Sequence, residues 1–408
     1  MLHDPNESLG ELVDRSHLMD PSKFTDEVSA AAAHLGATDL EIYLTDYEQR
    51  MLMPLRVTAG GEPLTIETTL AGRSFVSGEP QLSEQDSCVR TWVPLLDGAD
   101  RLGVLRFDME TVDDKAITAM MRFAGLMAQL IVTKSRYSDV FDRAAQRVTP
   151  SVAAHVQWSQ LPPMTFTTPR VAIAGILEPA YDIGGDAFDY SHNDDRTDIV
   201  MLDAMGHGLT ACWPATLAMA GLRHARQRGL GLAERYDECS RLLARELSAY
   251  EFVAAQLAEL DSTTGLLRWV TAGLPRPLLV RRGKVIGELP SPANLPLGVA
   301  VDGGGAQIAS FSLEPWDRVL FFTDGVIEGH RPGNEPFGIE RLVDLLGRES
   351  LALAGPAEAV RRVAHAVLDH NNHDLRDDFT MLIVEYRGGG ADVEAVPHSY
   401  RLPGHRTV

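Results

Sequence analysis

Between residues 165 and 387, four apolar, strand-like runs each meet an aspartate at one end, and this coincidence narrows the folds open to the chain more than any other feature. The runs IVMLD and VLFFTD end on Asp203 and Asp324, Asp186 follows the glycine pair of YDIGGDAFDY, and Asp377 and Asp378 lead into DDFTMLIVEY. A carboxylate at the end of a buried strand is costly unless its charge is used. Strand ends on one rim of a sheet converge, and carboxylates brought together there repel unless a cation lies between them. Hard divalent ions such as Mg2+ and Mn2+ take oxygen ligands of this kind. Neighbouring glycines let the backbone come close enough for a carbonyl to join them. Each motif also has an ordinary reading. Asp-Gly after a strand is a common turn, GGD is loop chemistry, Asp203 could cap the helix starting near Leu209, and a DD pair suits a solvated turn. Spacing alone leaves both readings standing; the repetition within one region favours a shared site.

Three textures divide the chain. Residues 1–112 open with the helical FTDEVSAAAAHLG, closed by Gly36, and continue with strand-like runs LEIYLTD, LTIETT, RTWVPLLDG and RLGVLRFDM. Residues 113–164 are helical. Ile117, Met120, Met121, Ala124, Met127, Ala128 and Ile131 recur at three- and four-residue steps and form one apolar stripe. That stripe suits packing on its own domain and pairing of two chains equally, so this stretch is expected to be a linker and a candidate dimerisation helix. Residues 165–387 alternate strands and helices, and residues 388–408 have turn formers without periodicity and are expected to be disordered.

EPAYDIGGDAFDY, LDAMGHGLTACWPATLAMAGLR, FFTDGVIEGHRPGNEPFGIERL and DDFTMLIVEY resemble, in order and spacing, the signatures of the metal-dependent PPM/PP2C-type protein phosphatases, in the bacterial SpoIIE/RsbU-like branch. The resemblance implies an α+β fold, with a PP2C-like α-β-β-α sandwich over 165–387. It further implies two Mn2+ or Mg2+ ions bridged by Asp203. The backbone carbonyl of Ala204 would add a ligand, Asp324 and Asp377 would complete one metal site, and Asp186 would support the other. The implied reaction is direct, in-line attack on phosphoserine or phosphothreonine by a hydroxide held between the ions, without a phosphoenzyme. Gly206 and Gly208 read as conformational. His207 lies four residues beyond Asp203, so a general-acid role does not transfer safely, and an imidazole bonded to backbone in a glycine turn is the preferred reading. Arg331, near TDG, is the nearest candidate for a phosphate contact, although a surface role suits it better. Leu274, in AGLPRPLL, stands where relatives commonly carry a histidine.

Residues 20–135 are similar in texture to a GAF sensory domain: LAGRSF, then SGEPQ, then VPLLDGADRLGVLRFDM and a closing helix. This implies a GAF-like α/β sensor domain ahead of the helical linker, with a small-molecule effector or a dimerising role. The implied partner of the phosphatase is a phosphorylated STAS-domain anti-anti-sigma factor in a partner-switching circuit. Competing readings are a scaffold that binds a phosphorylated partner without hydrolysing it, and a phosphatase of small phosphoesters. Composition bears on partners and place. The net charge of −20 disfavours nucleic acid. Three scattered cysteines fit a reducing cytoplasm, and neither a signal peptide nor a membrane span is expected.

Overall fold

The computed structural model describes residue 10 and residues 13–388, apart from 57–60, 183, 249, 300–304, 330–334, 352–354, 374 and 376. The tail expected to be disordered lies outside these residues from 389 onward. The chain divides into two units between Thr149 and Pro150. The stretch expected to be one linker, 113–164, is therefore shared. Its long helix, Asp114–Ser135, closes the first unit, and its short helix, Val152–Gln160, packs within the second.

In the second unit, side chains of alternate parity separate two sheets from their covering helices, as a period of two requires. One sheet runs in the order Ala293–Asn294, Leu266–Ala272, Val253–Asp261, Arg196–Ala204, Asp186–Asn193, with Ala309–Ser312 also paired to Leu266–Ala272. The other runs Lys284–Glu288, Leu278–Arg281, Asp317–Phe322, Phe379–Tyr386, Val171–Glu178, Thr165–Thr167. Along Arg196–Ala204, Ile199 and Met201 face the other sheet, where they join Phe188, Trp269, Phe321 and Leu382. Val200, Leu202 and Ala204 face outward, under the helices Gly208–Gln227 and Leu232–Glu246. The second sheet is covered in the same way by Ile339–Leu351 and Pro356–His370. The four layers are the α-β-β-α sandwich expected for this region.

The first unit is a six-stranded antiparallel sheet ordered Leu64–Thr65, Met51–Pro54, Ala37–Thr45, Asp100–Met109, Val89–Asp97, Gln81–Glu84. The helices Phe24–His34 and Asp114–Ser135 cover one face, and Leu70–Ser77 packs with Tyr43, Trp92 and Val104 on the other. Asp113 caps the long helix by accepting from the Ala116 N–H at 2.7 Å. By length and composition this helix could cross a membrane. Its stripe of Met120, Phe123, Ala124, Met127, Ala128 and Ile131 is instead buried against its own sheet. The buried Lys134 ammonium donates to the carbonyls of Ser16 and Met19. Ile117 and Met121, also of the stripe, are only partly buried against that sheet.

Candidate metal centre

Strand parity brings the acids together. On Asp186–Asn193, Phe188 and Tyr190 point between the sheets, so Asp186 does too. On Arg196–Ala204, Asp203 shares the parity of Ile199 and Met201. The register pairs Asp203 directly with Asp186 across adjacent antiparallel strands. Like charges in that relation destabilise a sheet. Asp324 follows the strand Asp317–Phe322 of the opposing sheet, and Asp377 and Asp378 precede Phe379–Tyr386 beside it. All the predicted carboxylates therefore gather on one rim of the sandwich.

Their electrostatics record the crowding. Burial, together with the charges of Asp203 and Asp378, holds the Asp186 carboxyl well above the usual carboxylate range. Burial and the charges of Asp324 and Asp377 push Asp203 up to about 7. Asp377 and Asp378 are also raised, chiefly by loss of water, with neighbouring acids adding to it. Each shift has the same two causes: burial strips water from the carboxylates, and their neighbours are acids of like charge.

Three residues hold this arrangement in place. Asp378 accepts from the N–H groups of Gly184 and Gly185 at 2.6 and 2.9 Å, tying the glycine loop to the other sheet. Thr323 donates its hydroxyl to Asp186 at 2.7 Å and accepts from the Thr380 N–H at 2.9 Å. The buried Gln157 donates from Nε2 to the carbonyls of Gly184 at 3.2 Å and Asp186 at 3.0 Å. Sequence reasoning missed Thr323 and Gln157, and read Asp378 only as one of the gathered acids. Thr323 and Asp378 lay inside the quoted motifs as neighbours of the expected ligands. Gln157 comes from a helix well upstream, with no signal of its own.

The backbone is equally constrained. A Cβ on Gly185 would lie 2.3 Å from the Ala204 oxygen, so only glycine lets that carbonyl stay where it was expected to serve as a ligand. Gly206 and Gly208 have φ of +103° and +62°, left-handed backbone that favours glycine. His207 differs from expectation. It is the exposed N-cap of Gly208–Gln227, and among the described residues its ring bonds to no backbone group. Instead its charge eases the ionisation of Asp377, while its own carbonyl accepts from the Thr210 hydroxyl at 2.8 Å. Leu274 is buried in the core between the sheets, so the position of the missing histidine is filled by packing. Arg331 lies outside the described residues.

Among the described residues no three acidic, histidine or cysteine side chains are drawn into a ready-made ion cage. The donor set is nevertheless all oxygen and crowded with uncompensated negative charge, and the Gly185 approach keeps the Ala204 carbonyl in reach. These residues fit hard divalent cations.

Residues 193–387 match the family model described as Stage II sporulation protein E (SpoIIE). The chain is 22% identical over 240 residues to the phosphoserine phosphatase RsbU of Bacillus subtilis, covering 57% of this chain and 68% of that one. Among solved structures, the SiaA-PP2C domain of Pseudomonas aeruginosa is 21% identical with a TM-score of 0.48, covering 63% of this chain and 99% of the other. The RsbU and RsbW domains of a Mycobacterium tuberculosis protein are 26% identical with a TM-score of 0.47, and the match spans 56% of this chain and 62% of that one.

Proposed function

We propose, from the match of residues 193–387 to the SpoIIE family model and the likeness to a phosphoserine phosphatase, that this chain hydrolyses phosphoserine or phosphothreonine on a protein. The observation that carries the reading is the direct pairing of Asp203 with Asp186, faced by Asp324 and Asp377 from the opposing sheet. In this reading Asp203, the Ala204 carbonyl, Asp324, Asp377 and Asp186 hold two Mn2+ or Mg2+ ions. When bound, such ions lower the pKa of a water and neutralise charge growing on the phosphoryl oxygens, the two needs of phosphate monoester hydrolysis. Asp378, Thr323 and Gln157 orient the glycine loop and the Asp186 carboxylate. The complete set of acids favours catalysis over a scaffold that merely binds.

The likeness to RsbU supports a STAS-domain anti-anti-sigma factor as the phosphorylated partner, within a partner-switching circuit. The antiparallel sheet of the first unit, with helices on both faces, supports a GAF-like sensor that takes a small-molecule effector. The deciding experiment is hydrolysis of p-nitrophenyl phosphate with and without Mn2+ by wild type and Asp203→Asn. Metal-dependent turnover in wild type alone is expected. No turnover by wild type or by residues 150–388 at saturating Mn2+ would overturn the reading.

A further inference from the structure

Beside the acid rim the molecule leaves large apolar side chains in water. Met205 is 47% exposed, Leu209 58% and Trp213 59%. Met205 is two residues beyond Asp203. Leu209 and Trp213 stand four apart on the first turns of Gly208–Gln227, hence on one face of that helix. Across the loop, the Met205 N–H donates to the Phe252 carbonyl at 3.4 Å, which brings the segment carrying the 85% exposed Tyr250 alongside. Among the described residues the Trp213 indole has no hydrogen-bond partner. The same turns of this helix bury Ala211, Cys212, Pro214 and Ala215, so the exposed face is not a sign of loose packing.

Single exposed apolar residues need no explanation, but a contiguous group of Met, Leu, Trp and Tyr is the composition that protein interfaces concentrate. The group spans on the order of a few hundred Å2, less than the ~800 Å2 per partner that a stable dimer buries, and suited to a transient encounter. It is also continuous with the acid rim, so whatever covers it carries the group that reacts there. A small phosphoester or a short extended peptide reaches the acids without covering two turns of helix; a folded protein does not.

We propose that Met205, Leu209 and Trp213 form a seat for an apolar shoulder next to the phosphorylated residue of a folded protein substrate, and so set the preference for phosphoproteins over small phosphoesters. The inference rests on the phosphatase reading above and adds to it the kind of surface the substrate must present.

The test compares wild type with a Leu209→Ser/Trp213→Ser variant on three substrates in Mn2+: p-nitrophenyl phosphate, a serine-phosphorylated STAS-domain protein, and a peptide carrying that same phosphoserine. The variant is expected to raise KM for the folded phosphoprotein about tenfold or more, with kcat and both small substrates changed less than about twofold. Equal losses on all three substrates overturn the proposal, as does no loss on any. So does a wild type that turns over p-nitrophenyl phosphate without preferring the folded protein to its peptide, or a variant that turns a dimer into a monomer in light scattering. Failure of the phosphatase reading itself is distinct: wild type then hydrolyses none of the three.

Discussion

The pairing of Asp203 with Asp186 sets a cost that any account of this molecule has to meet. With Asp203 raised from its ordinary value of 3.8 to about 7, the folded chain binds a proton that the unfolded chain releases more readily. The stability tied to that proton is full below the unfolded pKa and is lost as pH rises through the folded one. Metal-free protein should therefore melt at progressively lower temperature from about pH 4 to about pH 7, and saturating Mn2+ should flatten the dependence. Asp203→Asn should stabilise the metal-free protein by roughly 1–3 kcal/mol near pH 8 while removing activity; scanning calorimetry with EDTA and with Mn2+ checks both. A loss of stability in EDTA would mean that the carboxylate is compensated within the protein. Asp378 acts one step further out. Asp378→Ala frees the Gly184 and Gly185 N–H groups, and the Mn2+ concentration for half-maximal activity should rise about 10–100-fold, as for other residues that orient ligands.

At the scale of elements, the short helix Val152–Gln160 connects to the acid rim through one side chain. Ser151 caps it by accepting from the Ala154 N–H at 3.1 Å, Ala154 packs into the core between the sheets, and Gln157 reaches the carbonyls flanking the glycine loop. Gln157→Ala leaves two buried carbonyls without donors at a cost of about 1–3 kcal/mol. The second unit should then melt several degrees lower, at roughly 2–4 °C per kcal/mol, and need more Mn2+. Gln157→Glu puts an acceptor where a donor is required, so it should be at least as damaging. If both variants titrate Mn2+ like wild type, the helix is packing alone. The same helix shows how a boundary escapes sequence reading. Its apolar content resembles that of Asp114–Ser135, yet the two serve different cores.

For the whole molecule, the division between Thr149 and Pro150 separates two cores of different construction. Two unfolding transitions are therefore expected in calorimetry of the intact chain. Mn2+ at about 100 times its Kd should raise the transition of the second unit by the equivalent of about 2.7 kcal/mol and leave the other unchanged. A single transition that moves as one would show the units to be thermodynamically fused. The net charge of −20 favours cation uptake over nucleic acid at this scale, and the acid rim concentrates part of it.

The amino-acid sequence by itself determined where the acids gather, because their motifs are local: each aspartate sits next to the apolar run or glycine pair that positions it, and strand parity follows from a period of two. Asp186, Asp203, Asp324 and Asp377 were legible for that reason, as were the sandwich and the conformational glycines. What only the tertiary structure decided depends on residues distant in the chain. The cross-sheet grip of Asp378 on Gly184, the reach of Gln157 to Asp186 and the burial of much of the long helix against its own sheet are all choices of partner. An apolar stripe or a lone amide records that it needs a partner, and packing alone selects which one, because burial energy depends on area rather than on the identity of the surface that supplies it.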